Sequence, residues 1–428
     1  MHQNQSPQAQ GFSRLGIAPV FLETLAKLGY KNPTPIQQQA IPVAIQGKDV
    51  VGIAQTGTGK TFAYGIPMLQ RLAQVKGRGL VVLPTRELAA QVDEALRQIG
   101  AKVGLRTAVL IGGASIRPQI QALKRNPHVI IATPGRLNDH LQQKTVRLDN
   151  VQVVVLDEAD RMLDMGFAPQ IQKIFRTIPR KRQTMLFSAT MPPEIMKMAT
   201  SYMQLPIRIE VAPSGSIVER VTQELFVIPR DEKIRLTEKL LQQYLGATLI
   251  FTRTKHGAKK LTQEIRSMGH AAAELHADRS LHQRREALDG FKAGKYRVLV
   301  ATDIASRGID VVGIELVLNF DLPENAEDYV HRIGRTARAG AGGHAISLLT
   351  SDQGKELREI ERLIKQRLQI SKLPELPPAR APRFTPRVHI SLSRFPARPS
   401  SGGARPRRPY HTRPGSSGSF SRYRTRRR

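Results

Sequence analysis

Short apolar runs alternate with longer stretches of helical spacing along the first 370 residues. The runs at 50–54, 79–83, 128–132, 153–156 and 184–187 are rich in β-branched residues and apolar at successive positions. That pattern predicts strands covered by helices on both faces. A second series follows at 248–252, 297–302 and 316–320. Stretches 85–100 and 234–245 repeat apolar positions at helical spacing. Strand and helix in alternation predict parallel sheets with crossover helices. Segment 206–219 carries Pro, Ser and Gly without a helical period and reads as a boundary. The chain therefore divides into an α/β domain at 1–208, a linker at 209–218, a second α/β domain at 219–370 and a remainder at 371–428. No short internal repeat is present.

The remainder differs in composition. Ten of the 28 prolines lie in residues 371–428, together with 15 Lys and Arg and a single acid, Glu375. Proline and glycine oppose regular structure and the charge opposes collapse, so this segment is expected to be disordered. Arginine interleaved with Phe384, Phe395, Tyr410, Phe420 and Tyr423 suits RNA contact through phosphates and base stacking. The alternative is an inert, solvating tail. The whole chain carries a net charge of +31, so the first 370 residues are basic in their own right at +17. A field of that sign attracts polyanions. The absence of cysteine excludes disulfides, thiolate zinc sites and cysteine nucleophiles. No apolar run approaches the roughly 18 residues of a membrane span. The polar start of the sequence lacks a signal-peptide layout. A cytoplasmic location without membrane contact is the expectation.

The first candidate strand runs into Ala54-Gln-Thr-Gly-Thr-Gly-Lys-Thr61, a phosphate-binding loop with Ala54 where the strictest pattern has Gly. Small residues let the backbone N–H groups of Ala54, Gln55, Thr56, Gly57, Thr58 and Gly59 curl toward phosphate oxygens, and the following helix adds its positive end. Lys60 would reach the β- and γ-phosphates, and the Thr61 hydroxyl would ligate Mg²⁺. Such a site needs an acid at the end of another strand. Asp157, leaving 153–156, supplies it as a Mg²⁺ ligand through water, and Glu158 is placed to orient or deprotonate an attacking water.

These two motifs, with Asp157-Glu-Ala-Asp160 spelled out, resemble the DEAD-box ATP-dependent RNA helicases. Gly29-Tyr-Lys-Asn-Pro-Thr-Pro-Ile-Gln37, with Phe12 seventeen residues before Gly29, resembles that family's Q motif. The resemblance implies that Gln37 reads the adenine edge, with Phe12 and Lys31 beside the base, and so implies ATP as the nucleotide. Pro84-Thr-Arg-Glu-Leu88, Gly112-Gly113 and Thr133-Pro-Gly-Arg136 match its RNA-backbone motifs, which implies phosphate contacts by Thr85, Arg86, Thr133 and Arg136 and close approach at the glycines. Ser188-Ala-Thr190 resembles the motif that couples hydrolysis to strand separation.

The second domain matches in the same order. His331-Arg-Ile-Gly-Arg-Thr-Ala-Arg338 resembles the arginine-finger motif, which implies that Arg335 and Arg338 neutralise charge on the γ-phosphate. Ala337 stands where the family usually has Gly. Ala301-Thr-Asp-Ile-Ala-Ser-Arg-Gly-Ile-Asp310 resembles the motif linking nucleotide to RNA. It implies a ribose contact for Asp303, support of the fingers by Asp310, and RNA contacts for Thr302 and Gly308. Phe251-Thr-Arg253 and Gln283-Arg284 match two further motifs, with Arg253 directed at RNA.

Two tandem RecA-like domains with a basic tail, using ATP and Mg²⁺, are the architecture this resemblance implies. The activity implied is RNA-stimulated ATP hydrolysis coupled to closure of the two domains on single strands and short duplexes, with little sequence preference. The block Asp160-Arg-Met-Leu-Asp-Met-Gly-Phe167 and the arginine-rich tail point to the bacterial RhlE-type subgroup. Ribosomal-precursor or RNA-decay machinery are family partners between which the sequence does not choose. Two rivals stay open: a DNA helicase, and an RNA clamp or annealing protein dominated by its tail.

Overall fold

The computed structural model describes residues 11–378 except 56, 212–220, 304–310, 312 and 337–342. Two parallel sheets organise the chain. The first contains β1 (Val50–Ile53), β2 (Arg78–Val82), β3 (Thr107–Leu110), β4 (Val129–Ala132), β5 (Val151–Leu156), β6 (Gln183–Ser188) and β7 (Ile207–Glu210), in the order β3-β4-β2-β5-β6-β1-β7. The second contains β8 (Val221–Val227), β9 (Ala247–Phe251), β10 (Ala272–Leu275), β11 (Val298–Ala301), β12 (Ile314–Asn319) and β13 (Gly343–Leu349), in the order β10-β11-β9-β12-β13-β8. Every ladder between these strands is parallel.

The continuous apolar runs are explained by what lies on either side of each sheet. In β5, Val153 and Val155 enter one hydrophobic cluster while Val154 and Leu156 enter another across the sheet. In the second sheet Ile250 and Val300 pack on one face, Leu249 and Leu299 on the other. Successive strand residues point to opposite faces, so a strand covered twice must be apolar at every position. Burying each such side chain contributes roughly 1.5–3 kcal/mol.

Two boundaries differ from expectation. β7 pairs with β1 from Ile207 to Glu210, and the Val211 N–H donates to the Ile53 carbonyl at 3.0 Å. The first domain thus runs past 208 into the expected linker, while 212–218 lie outside the described residues. β7 alternates Ile-Arg-Ile-Glu because it is an edge strand with one wet face, and that polarity hid it.

At the other end, residues 371–378 belong to the second domain. Leu225 donates its N–H to the Gln369 carbonyl and accepts from Ser371 N at 2.8 Å, a parallel bridge along the open edge of β8. Further on, Arg235 Nε donates to the Pro377 carbonyl at 2.7 Å and Leu376 packs on the core. Covering a sheet edge satisfies its backbone groups, which offsets the ordering cost of a proline-rich segment. The tail from 379 onward lies outside the described residues.

Candidate active site and nucleic-acid interface

The carboxyl ends of the first sheet carry the phosphate loop. β1 leads through 54–59 into the helix Lys60–Gln74, with Gly57 and Gly59 at φ 84° and 87°. A side chain at Gly59 would be strained there, and its Cβ would collide with Gln37 Nε2. Thr58 Oγ1 donates to the Gln55 carbonyl at 2.7 Å and closes the loop. Lys60 is buried, and its Nζ donates to the Ala54 carbonyl at 3.0 Å. Thr56 lies outside the described residues.

Gln37 joins the first helices to this loop. Its Oε1 accepts from Thr34 N at 2.9 Å and its Nε2 donates to the Gly59 carbonyl at 3.0 Å. One amide hydrogen and one lone-pair direction are left over, so a base edge could still be read. A cavity of about 380 Å³ opens beside it, lined by Tyr30, Gln37, Gly59, Lys60, Gln91 and Asp157 among others. Phe12 is only 5% exposed and belongs to the core, and Lys31 is exposed. Tyr30 lines the cavity, set edge-on to Phe62 with ring centres 4.9 Å apart. The sequence offered Tyr30 only as one residue of the Gln37 motif.

Asp157 and Glu158 follow β5 directly, and both are 3% exposed. Burial pushes the Asp157 carboxyl up to about 6, against the pull of Lys60. The Tyr64 hydroxyl donates to its Oδ2 at 3.1 Å. For Glu158 burial again works upward. The charges of Arg161, Lys60 and Arg335 outweigh it and hold the carboxylate below its usual range. Arg161 donates to Glu158 Oε2 at 2.9 Å in a pair shielded from water. Glu158 also occupies the left-handed region at φ 53°, ψ 50°, an uncommon conformation for a residue with a Cβ. Strain of this kind, of order 1–3 kcal/mol, persists where surroundings over-determine the geometry.

Asp160 explains the expectation for Ser188 and Thr190. Its Oδ2 accepts from Ala189 N, Thr190 N and Thr190 Oγ1 at 2.9–3.0 Å, while its own N–H donates to Ser188 Oγ. Three donors on one carboxylate oxygen fix the end of β6 against the acidic motif.

The second domain brings its own charged groups to the same place. Arg335 is 3% exposed, and its positive charge acts on Glu158. Behind it Arg332, not singled out in the sequence, is 2% exposed. Its guanidinium donates to both Asp303 oxygens at 2.6 and 2.7 Å, and to Asn319 Oδ1 and the Asp321 carbonyl. The face of the Phe251 ring lies beneath it, 4.9 Å away. Asp303, expected at a ribose, is therefore engaged in a two-pronged pair within its own domain. Arg338, Gly308 and Asp310 lie outside the described residues.

The described residues expected to face RNA follow the carboxyl ends of β2, β3, β4, β9 and β11. Gly113 has φ 69°, and a Cβ on it would collide with the Arg86 guanidinium, which therefore rests on the two glycines. Arg136 holds the far side of that loop through the Ala114 carbonyl at 2.9 Å. Thr85 caps the helix Arg86–Gly100 by accepting from Leu88 N, and Thr133 precedes the helix Pro134–Gln142. In the second domain Thr302 is half-buried at the end of β11, and Arg253 donates to the Leu322 carbonyl. One interaction was missed altogether. Arg284, on the helix Leu281–Lys292, pairs with Glu87 of the first domain at 2.9 Å, both nearly buried. Leu281, one turn earlier, packs on the first domain's core.

A phosphate loop, a buried acidic pair and an arginine from a second parallel-sheet domain define a two-domain nucleoside triphosphatase. The description DEAD/DEAH box helicase matches residues 34–198, and Helicase conserved C-terminal domain matches residues 232–340. The DEAD-box ATP-dependent RNA helicase CshA of Bacillus cereus is 42% identical over 368 residues, covering 85% of this chain and 70% of the relative. CshA of Geobacillus kaustophilus is 43% identical over 369 residues, covering 85% and 79%. Saccharomyces cerevisiae Dbp5 bound to RNA and ADP BeF3 superposes with a TM-score of 0.77 at 29% identity, covering 86% of this chain and 96% of that one. The chain belongs to the DEAD-box ATP-dependent RNA helicase family.

Proposed function

We propose that the chain hydrolyses ATP in the cavity of the first domain and uses closure of the second domain over RNA to separate short duplexes. The observation that carries this is that Arg335, buried in the second domain, lines one small cavity with Arg161, the ion-pair partner of Glu158 in the first domain, so that its charge acts on Glu158. Glu158, kept ionised by three cations, takes a proton from water as the water oxygen bonds to the γ-phosphorus. The bond to the bridging oxygen breaks, and ADP and phosphate leave. Arg335 and Lys60 offset charge on the transferred group. Because Arg335 comes from the other domain, hydrolysis requires closure, and RNA lying across both domains favours it.

The donor set fits a divalent cation. Asp157 is a buried carboxylate whose burial is only partly compensated by Lys60, beside the Thr61 hydroxyl. Asp157 and Thr61 would hold Mg²⁺, which would supply that missing positive charge. The basic tail adds RNA affinity. Deleting 379–428, while keeping the packed 371–378, should weaken RNA binding and flatten its salt dependence. Within the family, the block 160–167 and the arginine-rich tail support the RhlE-type subgroup. RNA as substrate makes the cytoplasm the place of action, with ribosomal precursors or decay intermediates as targets. No helix among the described residues is long and apolar enough to cross a membrane.

The test is ATP turnover at fixed salt, alone, with single-stranded RNA, and with DNA of equal length and sequence. Stimulation by RNA alone supports the reading. Equal stimulation by DNA would replace RNA selectivity with a general helicase, and no turnover would leave a binding protein.

A further inference from the structure

The two ends of the first sheet differ in charge. Among the described loops leaving its strands at the carboxyl end, Asp157 and Glu158 are the charged residues before the next helix begins. The connections entering its strands at the amino end, on the far side of the domain, hold ten Lys and Arg against two acids, Asp49 and Asp149. Asp49 is buried and its oxygens accept from Thr184 N and Gln204 N at 2.7 Å. Asp149 is paired with Arg147.

The strand order converts this into a row. Across the sheet, Arg106 precedes β3, Arg125 β4, Lys76 β2, Arg147 β5, Arg180 β6 and Lys48 β1. Neighbouring strands lie about 4.8 Å apart, so these cations step across the rim over about 24 Å. All six are exposed, and Lys48, Lys76, Arg125 and Arg180 make no ion pair with a described residue. The rim is braced from below: Arg106 donates to the Asn126 carbonyl, Arg78 to Asn126 Oδ1, and Arg182 to the Pro179 and Tyr202 carbonyls. Among the described residues the second sheet has no equivalent row. The described connections entering its strands hold Lys295, Arg297 and Arg335; Arg297 is spent on the Tyr244 and Leu241 carbonyls, and Arg335 is buried beside Arg161.

We infer that this rim is a second RNA surface, which takes the phosphate backbone of a strand continuing beyond the motif face. A row of exposed cations on a braced edge, four of them without an ion pair to a described residue, matches a repeating anion, and phosphate contacts of this kind do not read sequence. The inference rests on RNA being the substrate. The rim lies one strand length, about 13–20 Å, from the motif loops, so a short RNA bound there does not reach it.

The experiment compares salt dependence of binding for a short oligouridylate that fills the motif face and one several times longer, using the full chain. The variant is Lys48→Ala, Arg125→Ala, Arg180→Ala and Lys181→Ala combined, all exposed positions. The control is Lys259→Ala, Lys260→Ala, Lys292→Ala and Lys355→Ala, exposed lysines of the second domain. The slope of log affinity against log salt should fall by about 3 for the long RNA, at about 0.7 for each phosphate no longer neutralised. It should stay unchanged for the short RNA and in the control. An unchanged slope on long RNA overturns the inference, and so does an equal fall on short RNA or in the control. ATP turnover with the short RNA, read on the same samples, separates this outcome from failure of the helicase reading, which would already show in the unmodified chain.

Discussion

The two domains share a parallel sheet and present their chemistry at the same end of it, yet they divide the work unequally. The first, residues 1–211, holds 26 Lys and Arg against 13 acids; residues 212–370 hold 25 against 21. The first domain's candidate catalytic groups share one place: Lys60, Asp157 and Glu158 are all buried beside a cavity. The second domain sets Arg335 beside the first domain's Arg161 and holds the neighbouring Arg332 on its own Asp303. A domain that encloses the nucleotide cavity can be complete in itself. A domain that senses nucleotide must keep its charged groups rigid and paired until closure, because an unpaired buried guanidinium is costly.

That division can be broken at its most exposed point. Arg335→Ala should lower RNA-stimulated turnover by about 10³–10⁵, the range for an arginine supplied to a phosphoryl transfer. ATP affinity, measured with a fluorescent analogue, should change little, since the cavity belongs to the first domain. A matching loss of affinity would show that Arg335 works in binding instead. Glu158→Gln removes the base from the other side of the cleft. Turnover should fall by about 10²–10⁴ while nucleotide and RNA remain bound together. Retained turnover by phosphate release would remove Glu158 from the mechanism. The neutral amide also leaves Arg161 without its carboxylate, so melting of the variant must be read alongside.

The same inequality governs what was legible in the sequence. The central strands were visible because two covered faces demand unbroken apolar runs. Four of the five strands that were missed, β3, β7, β8 and β10, are the outer strands of their sheets. An edge strand has fewer neighbours and tolerates Arg208, Glu210 or Gln223 in its course. The fifth, β13, is internal but reads Gly-His-Ala-Ile-Ser-Leu-Leu, without the β-branched density that marks strands. Motif spacing placed Lys60, Asp157 and Glu158 together. It did not reveal Arg332, Arg161 or Tyr64, whose roles depend on which side chain lies opposite. Nor could it show the Arg284 pair, made between residues 197 positions apart.

Within the second domain, Arg332 tests whether the finger is held by its neighbours. Arg332→Ala leaves Asp303, Asn319 and the Asp321 carbonyl without their shared donor in a nearly dry site. Breaking such a pair costs about 3–5 kcal/mol, so chemical denaturation should show an early transition assigned to the second domain. Arg332→Lys should recover only part of this, because one ammonium cannot reproduce the two-pronged geometry. If both variants melt like the unmodified chain, Arg332 is not what fixes this region.

The smallest effect is expected at the ion pair that belongs to both domains. Arg284 and Glu87 meet at 2.9 Å, one turn from Leu281 on the first domain's core. Neither faces the nucleotide cavity, so Arg284→Ala and Glu87→Ala should each act through closure. Burial holds the Arg284 guanidinium below its usual range even with Glu87 beside it, so the pair is partly desolvated and its net value is modest. The measured quantity is how much bound RNA tightens ATP binding, and each single variant should reduce that tightening by about 1–2 kcal/mol, within the usual range of coupling energies. The double variant should lose scarcely more than either single one, since touching residues are not additive. Strict additivity would mean that the two side chains act separately. The first domain would then be closed upon by its motif loops alone, and the difference between the domains would lie wholly at the nucleotide.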